Sequence, residues 1–360
     1  MKVLISAGGT GGHINPCLDI GRYILEQNDA NEVLFIGADG TMDKKLYSAS
    51  NMNYKLYKSG GLDRKNLLKN FSILSKNMKA YRDIMKAVEE FKPDIGISGG
   101  GYISAMAMMC LKNKKIPFIV YEQNAIPGLA TKFLSRYATK YAYAFGGVEK
   151  MLKYPERGVY TGNPVRKEFF ECDCDKAKIK LGFSPTDKVV LCFGGSLGAQ
   201  KINETIIEMI PRIAQTDIKL VVGTGKFYYK RYENLISKYP NVIIKEYIDD
   251  MPLWLNACDV AVTRAGAITL SELCAIRKPA VLIPSPNVTA NHQEKNADRL
   301  VKAGGAVKII ENDLDTDKLF EILKKLTEDK EKLKEMSDSL EPLCITNSAE
   351  RIYGILSSIH

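Results

Sequence analysis

Twice in this chain a short run of strand-forming residues breaks into clustered glycines and then continues as a helix. Leu4-Ile5-Ser6-Ala7 leads into Gly8-Gly9-Thr10-Gly11-Gly12, and Val190-Leu191-Cys192-Phe193 leads into Gly194-Gly195-Ser196-Leu197-Gly198-Ala199. A strand with no polar alternation is covered on both faces, and such strands joined through helices form parallel sheets. The repeat therefore predicts two doubly wound, Rossmann-like α/β domains. Each would bind ligands at the carboxyl ends of its strands, and the two glycine turns would face across a shared cleft.

Alternation along the rest of the chain agrees. Strands are expected at 2–7, 32–37, 94–98, 117–121 and 141–145 in the first half. The second half should hold strands at 188–193, 218–223, 242–246, 259–263, 280–283 and 306–309. Between the sets lies a strand-poor stretch with Pro164 and Pro185, so the expected division is a domain at 1–162, a linker at 163–187 and a domain at 188–345. A length of 360 residues suits two domains, and 45% hydrophobic with 26% charged residues excludes disorder. The apolar run from Ile103 to Leu111 is about half of what spans a bilayer. After Lys2 the apolar run is only Val3–Ile5 before glycines follow, which reads as a first buried strand rather than a signal peptide.

Cysteines 17, 110, 172, 174, 192, 258, 274 and 344 mostly sit in apolar runs, as small hydrophobes do. Cys172 and Cys174 have no second pair or nearby histidine to complete a metal site, and a reducing, cytoplasmic compartment is expected. Acidic pairs such as Asp249-Asp250 and Asp173-x-Asp175 lack a converging third ligand, so no metal is expected there.

The charge is lopsided. Residues 1–162 hold 23 Lys+Arg against 14 Asp+Glu, whereas residues 163–360 hold 28 of each. The first domain alone is basic, which points to an anionic membrane surface or a phosphate-bearing substrate. Nucleic acid is disfavoured, because no aromatic-basic platform accompanies the charge. The clearest helix is 65–88, where Leu67, Phe71, Leu74, Met78, Tyr81, Met85 and Val88 recur at spacings of four and three. That stripe is expected to face the core, with Lys65, Lys69, Lys76, Lys79 and Lys86 opposite. A sharper reading has this helix, or the loop at 60–64, touching anionic lipid.

Several strand ends carry candidate chemistry. The turn at 8–12 suits close backbone approach to a phosphate, although a tight strand-to-helix turn explains it equally well. It lacks the spacing of a nicotinamide fingerprint. His13 follows directly, as a base, a phosphate ligand or a helix-start residue. Gly99-Gly100-Gly101-Tyr102 and Tyr121-Glu122-Gln123-Asn124 end two further strands. In the second half, Arg264-Ala265-Gly266 opens a helix at Ala267, whose dipole suits a diphosphate, with Glu272 placed for ribose hydroxyls. His292-Gln293 follows Pro284-Ser285-Pro286 at another strand end, and His360 is the third histidine.

These segments are recognisable together. Gly8-Gly9-Thr10-Gly11-Gly12-His13, Gly100-Gly101-Tyr102, Glu122-Gln123-Asn124, Gly162-Asn163-Pro164-Val165-Arg166 and Gly194-Gly195-Ser196-x-Gly198-Ala199 stand in family order. Tyr247-Ile248-Asp249-Asp250-Met251, Arg264-x-Gly266-Ala267-x-Thr269-x-Ser271-Glu272 and His292-Gln293-x-x-Asn296-Ala297 continue it. The set resembles glycosyltransferase family 28, in particular the members that add N-acetylglucosamine to lipid I in peptidoglycan synthesis. The resemblance implies a GT-B fold, an inverting transfer without metal or cofactor, UDP-N-acetylglucosamine as donor and lipid I as acceptor. It implies peripheral attachment to the cytoplasmic face of the cell membrane, other cell-wall enzymes as partners, and a C-terminal helix at 346–360 packing back on the first domain. Carried over by position, Thr10, Gly11, Gly12 and Asn124 would touch the donor from the first domain. Arg166 and Ser196 would meet its phosphates, the Ile248 backbone its uracil, and Ala267, Ile268, Thr269, Leu270 and Ser271 its α-phosphate. Glu272 would hold the ribose, His292 and Gln293 the sugar hydroxyls, and His13 would be the general base. Many relatives carry histidine at the position of Tyr121. Other readings are a UDP-N-acetylglucosamine 2-epimerase and a glycolipid glycosyltransferase with a different acceptor.

Overall fold

The computed structural model describes residues 1–61, 67–195, 198–235, 238–288 and 291–360, side chains 41 and 67–72 excepted. The chain divides into two compact units, Met1–Pro164 with Thr346–His360, and Val165–Ile345.

The first unit is a seven-stranded, wholly parallel sheet. Its strands are β1 (Lys2–Ser6), β2 (Glu32–Ala38), β3 (Tyr54–Tyr57), β4 (Ile95–Ser98), β5 (Phe118–Glu122), β6 (Lys140–Tyr143) and β7 (Gly158–Tyr160), in the spatial order β3-β2-β1-β4-β5-β6-β7. The second unit holds β8 (Lys188–Phe193), β9 (Ile218–Gly223), β10 (Val242–Lys245), β11 (Val260–Thr263), β12 (Ala280–Leu282) and β13 (Ala306–Lys308) in the order β10-β9-β8-β11-β12-β13, again all parallel. All eleven expected strands form. The two that the pattern missed, β3 and β7, are the edges of the first sheet. Their residues are only partly covered, so neither has the unbroken apolar character of an interior strand.

Each core is a strand-and-helix sandwich. In the first, Val3, Ile5, Phe35, Ile95, Ile97 and Ile119 of the sheet meet Ile14, Ile20 and Ile24 of the helix Gly11–Gln27, with Ile352, Ile355 and Leu356 of the helix Ser348–Ile359 on the same cluster. In the second, Val190, Leu220, Val222 and Val262 meet Ile202, Ile206, Met209 and Ile213 of the helix Gln200–Ile213, and Leu319 and Leu323 of the helix Thr316–Glu328. Residues 165–187 carry a short 3-10 turn, Lys167–Phe170, and the helix Cys174–Lys180, which packs on the helix Met251–Ala257.

The expected acidic pairs are helix caps. Asp173 accepts from the Lys176 N–H at 2.9 Å, and Asp250 from the Leu253 N–H at 3.2 Å. Among the described residues no helix is long and apolar enough to cross a membrane.

The long helix, Leu67–Phe91, corrects the predicted stripe. Ala80, Ile84, Ala87 and Val88 are the buried positions, with Ile73 half-covered, while Leu74 and Met78 are more than half exposed. Lys65 lies outside the described residues, as do the side chains of Leu67, Lys69 and Phe71. The packed line is rotated by about one residue, or roughly 100°, from the expected one. Two of its buried positions are alanines, which let a neighbouring backbone come close, and the helix Tyr102–Asn113 is the element it packs on. Of the described side chains in the expected stripe, Val88 is buried and Tyr81 and Met85 are half-buried, so only Leu74 and Met78 are left outside. Lys79, Arg82 and Lys86 therefore border the exposed Leu74 and Met78 instead of opposing them.

Candidate active site

In a doubly wound sheet the chain leaves two central strands in opposite directions, and a crevice opens where they part. In the first unit these strands are β1 and β4, with Ser6 paired to Ser98, and both run into glycine. The turns are stitched together: Gly8 N–H donates to the Gly100 carbonyl at 3.3 Å and Gly99 N–H to that of Ser6 at 2.8 Å. Gly9, Gly100 and Gly101 have φ of +88°, +104° and +82°. A Cβ on Gly101 would lie 2.6 Å from the Gly8 carbonyl oxygen, so the mutual approach of the turns needs glycine. Thr10, exposed, caps the helix Gly11–Gln27. Its carbonyl takes the first helical hydrogen bonds, from His13 and Ile14, so the Gly11 and Gly12 N–H groups have no partner inside the helix.

His13 is half-buried, and its ring lies where a side chain on Gly100 would have to go, 2.8 Å from Cδ2. Its Nδ1 is 3.2 Å from the Gly8 carbonyl oxygen. A carbonyl can only accept, so Nδ1 carries the proton, and in the neutral ring Nε2 holds the basic lone pair. His13 can thus take a proton at Nε2.

At the end of β5, Glu122 is buried and organises the loop after it. One carboxylate oxygen accepts from the Asn124 N–H at 3.0 Å and its Nδ2 at 3.3 Å; the other accepts from the Gly128 N–H at 2.9 Å and the Thr131 hydroxyl at 2.6 Å. Gln123 donates to the Gly99 carbonyl at 2.8 Å, tying this loop to the glycine turn and holding Asn124 half-buried beside it. Tyr121 is fully buried and donates to Asn163 Oδ1 at 2.6 Å. Burial pushes its hydroxyl well above the usual tyrosine range, so it keeps its proton and acts only as a structural donor.

The second unit repeats the plan at β8 and β11, with Phe193 paired to Thr263. Gly195 and Gly198 have φ of +89° and +83°, and a Cβ on Gly198 would lie 2.2 Å from the Thr224 carbonyl oxygen. Ser196 lies outside the described residues. Ile248 is buried against Gly223, where an added Cβ would lie 2.9 Å from Ile248 Cγ1, so the loop after β10 closes on the end of β9.

β11 leads through Gly266 into the helix Ala267–Ala275. Its first internal bond runs from Leu270 N–H to the Gly266 carbonyl at 3.0 Å, which leaves the N–H groups of Ile268 and Thr269 without a helical partner. Leu270 has its N–H committed and its side chain buried, whereas Thr269, Ser271 and Glu272 are half-buried. Ala267 is buried, and its carbonyl accepts from the Ser271 hydroxyl at 3.1 Å. Arg264 donates to the carbonyls of Ile283 at 3.1 Å and Pro284 at 3.3 Å and pairs with Glu311, which spends it on holding strand ends together. The helix His292–Ala303 joins the same end of the sheet. Gln293 Oε1 accepts from the Ser285 N–H at 2.9 Å, Asn296 donates to the Ala265 carbonyl at 3.3 Å, and His292 is half-buried at the helix start. Arg166 is exposed, its guanidinium 5.6 Å from the Phe169 ring centroid; among the described residues no hydrogen bond joins it to these groups.

Two residues at these turns escaped the sequence reading. Asn203, buried in the helix after the second glycine turn, donates to the Thr224 carbonyl at 2.8 Å. Asp43 is 2% exposed and accepts from the N–H of Gly9 at 3.0 Å and of Ala38 at 2.9 Å. No local pattern marks either: Thr224 lies 21 residues from Asn203, and Gly9 lies 34 residues from Asp43.

The sequence profile of the glycosyltransferase family 28 N-terminal domain matches residues 3–143, and that of the C-terminal domain matches residues 189–352. A UDP-N-acetylglucosamine–N-acetylmuramyl-(pentapeptide) pyrophosphoryl-undecaprenol N-acetylglucosamine transferase of Acetivibrio thermocellus is 40% identical over all of this chain and 98% of its own length. The chain belongs to glycosyltransferase family 28. A Bacillus subtilis (strain 168) family 28 protein of the same name is 36% identical over all of this chain and 99% of its own length. Among solved structures, the crystal structure of Acinetobacter baumannii MurG aligns over 99% of both chains with a TM-score of 0.79 at 22% identity. A UDP-N-acetylglucosamine 2-epimerase from Neisseria meningitidis, bound to UDP-N-acetylglucosamine, aligns over 99% of this chain and all of its own with a TM-score of 0.69 at 16% identity. The fold is GT-B, and family 28 membership makes the chain a glycosyltransferase.

Proposed function

We propose that this glycosyltransferase moves N-acetylglucosamine from UDP-N-acetylglucosamine to the C4 hydroxyl of the N-acetylmuramyl residue of lipid I, giving lipid II and UDP. The observation that carries the reading is the full-length 40% identity with a transferase named for that donor and acceptor. The epimerase likeness, at 16% identity, speaks for the fold alone.

In this reading the second unit holds the donor. The N–H groups of Ile268 and Thr269, at the positive end of the Ala267–Ala275 helix, would receive the α-phosphate, with Ala267, Leu270 and Ser271 shaping that turn. Ser196 and Arg166 would add to the diphosphate contacts, and Glu272 would accept from the ribose hydroxyls. The Ile248 backbone would read uracil. Gln293, whose oxygen is already used by Ser285, would offer its amide N–H groups to the sugar hydroxyls beside His292.

The first unit supplies the base. His13 Nε2 takes the proton of the C4 hydroxyl as that oxygen bonds to the anomeric carbon from the face opposite the leaving group. The anomeric C–O bond breaks and UDP departs with its electron pair, inverting the centre. Thr10, Gly11, Gly12 and Asn124 would line this end, where the Gly11 and Gly12 N–H groups, without partners inside the helix, would meet incoming polar groups. Negative charge on departing UDP would be met by helix N–H groups and Arg166, so the transfer is proposed to need no metal.

The acceptor is a lipid, and the first unit is suited to a bilayer surface. Leu74 and Met78 lie exposed among Lys79, Arg82 and Lys86, and Leu129, Phe133 and Tyr137 lie exposed near Lys112 and Lys132. The helix Leu67–Phe91 and the short helix Leu129–Leu134, which carries Leu129 and Phe133, both pack on the helix Tyr102–Asn113. Apolar residues ringed by cations suit shallow insertion into an anionic leaflet, hence peripheral attachment at the cytoplasmic face. Other cell-wall enzymes would meet the protein there.

The test is transfer of labelled UDP-N-acetylglucosamine to a short-chain lipid I analogue by the purified protein, with and without EDTA. Labelled product at equal rates is expected. Turnover of the donor without acceptor, or transfer only to another lipid, would overturn the assignment.

A further inference from the structure

Asp43 sits third in the helix Thr41–Ser48, outside every motif used so far, and its surroundings are unusual for a carboxylate. It is almost wholly buried, and among the described residues it makes no ion pair. Its hydrogen-bond partners are two backbone N–H groups, those of Gly9 and Ala38. Burying an unpaired charge costs several kcal/mol in general, so its position calls for a reason beyond packing.

The reason lies in the peptide bond it touches. The N–H of Gly9 and the C=O of Gly8 belong to one amide. On one side that amide donates to Asp43 Oδ1 at 3.0 Å; on the other it accepts from His13 Nδ1 at 3.2 Å. We propose that Asp43 is a positioning residue for His13, acting through this single peptide as a carboxylate–amide–imidazole relay. The carboxylate polarises the amide, leaving more negative charge on the Gly8 oxygen. That oxygen fixes the Nδ1–H tautomer and stabilises the imidazolium formed when Nε2 takes a proton. No proton crosses the amide: Nδ1 keeps its hydrogen and Asp43 keeps its charge.

The packing leaves the amide little freedom. A Cβ on Gly8 would lie 2.7 Å from Asp43 Oδ2 and equally close to Ile103 Cγ2, while Gly101 closes on the Gly8 oxygen from the far side. Other titratable groups on the neighbouring elements are already occupied. Burial holds the Cys17 thiol protonated, and Asp19 is paired with Arg22 at 2.6 Å. The Tyr47 hydroxyl donates to the Ala7 carbonyl at 2.8 Å, Tyr121 donates to Asn163, and Glu122 accepts from the 124–131 loop. Asp43 is the charge coupled to His13 through a backbone amide.

The inference rests on His13 as the base, and the experiment separates the two. The chain has three histidines, so isotope-labelled imidazoles can be followed by NMR, with His13→Ala assigning the His13 signals. In the parent, His13 should be the Nδ1–H tautomer. In Asp43→Asn its pKa should fall by at least half a unit, the acid limb of the kcat–pH profile should move with it, and kcat should drop roughly tenfold with KM for UDP-N-acetylglucosamine within about twofold. A structural role alone would lower Tm and leave the His13 titration where it was, and that result overturns the relay. If Asp43→Asn does not fold, the parent alone judges the relay: an Nε2–H tautomer of His13 there refutes it. Full activity in His13→Ala would instead remove the base assignment while the NMR still judges the coupling.

Discussion

Gly101→Ala tests the central geometric claim, that the two glycine turns of the first unit press on one another and on His13. Gly101 has φ +82° and ψ 160°, a region open essentially to glycine, and forcing alanine there costs about 1–3 kcal/mol. The new Cβ would also start 2.6 Å from the Gly8 carbonyl oxygen, a backbone atom with no rotamer by which to escape. Reaching ordinary contact needs a shift of roughly half an ångström or more, and crowding of this kind adds about 1–3 kcal/mol. The sum, about 2–6 kcal/mol, should lower the Tm of a unit this size by roughly 4–24 °C. The displaced oxygen is the one that holds His13 Nδ1, and misplacement of a catalytic group by about 1 Å can cost about 100-fold, so kcat should fall roughly tenfold or more. Differential scanning calorimetry and transfer to a short-chain lipid I analogue read the two effects. Gly354→Ala is the matched control, since it lies in the helix Ser348–Ile359 with nothing within 4 Å of an added Cβ. It should leave kcat alone and gain about 0.5–1 kcal/mol. Parental Tm and kcat in Gly101→Ala would refute the packing argument; a lower Tm with unchanged kcat would refute the link to His13.

Three further outcomes follow from other parts of the fold. Lys178 is buried and donates to both Asp259 oxygens, at 2.9 and 3.0 Å, and to the Asp187 carbonyl at 2.7 Å; Lys178→Met should cost about 3–5 kcal/mol, and an unchanged urea midpoint would contradict it. Burial pushes the thiols of Cys110, Cys258 and Cys274 from 9.0 up to about 12, so between those values the unfolded chain has released protons that the folded chain retains. Stability should therefore fall as pH rises through that window, by roughly 1.4 kcal/mol per pH unit for each thiol, with a shallower slope in Cys258→Ala. Replacing Leu74 and Met78 together by glutamate should weaken sedimentation with anionic vesicles at least tenfold while leaving transfer to a soluble acceptor analogue intact; equal vesicle binding would remove that face from the membrane reading.

What was legible in the sequence was local. The glycine turns announce themselves because a positive φ and a missing Cβ are properties of one residue, and interior parallel strands because both faces are apolar. The helix start at Ala267 was readable from Arg264-Ala265-Gly266 for the same reason. Edge strands such as Tyr54–Tyr57 carry a weaker pattern. The long helix misled because spacing gives the existence of a stripe and not which neighbour covers it: alanines at 80 and 87 won the contact over Leu74 and Met78. Asp43 was invisible because its meaning depends on Gly9, brought to it by the pairing of β1 with β2. Glu122 was noticed as a polar strand end, but its role in shaping the loop around Asn124 came from four hydrogen bonds that no spacing encodes.

The helix Ser348–Ile359 belongs to the first unit, although residues 165–345 intervene. Its Ile352, Ile355 and Leu356 complete a core that Val3 and Ile5 begin, and Ser348 donates to the Gly162 carbonyl at 2.8 Å. On a ribosome the first unit must therefore wait, with one apolar side of its Gly11–Gln27 helix uncovered, while the whole second unit is made. At about 5–20 residues per second that wait is on the order of 10–40 s, and the second unit's chain is complete before the first unit's last helix is made. The order of maturation is thus the reverse of the order of synthesis, and during that interval the nascent chain offers a chaperone a defined apolar groove.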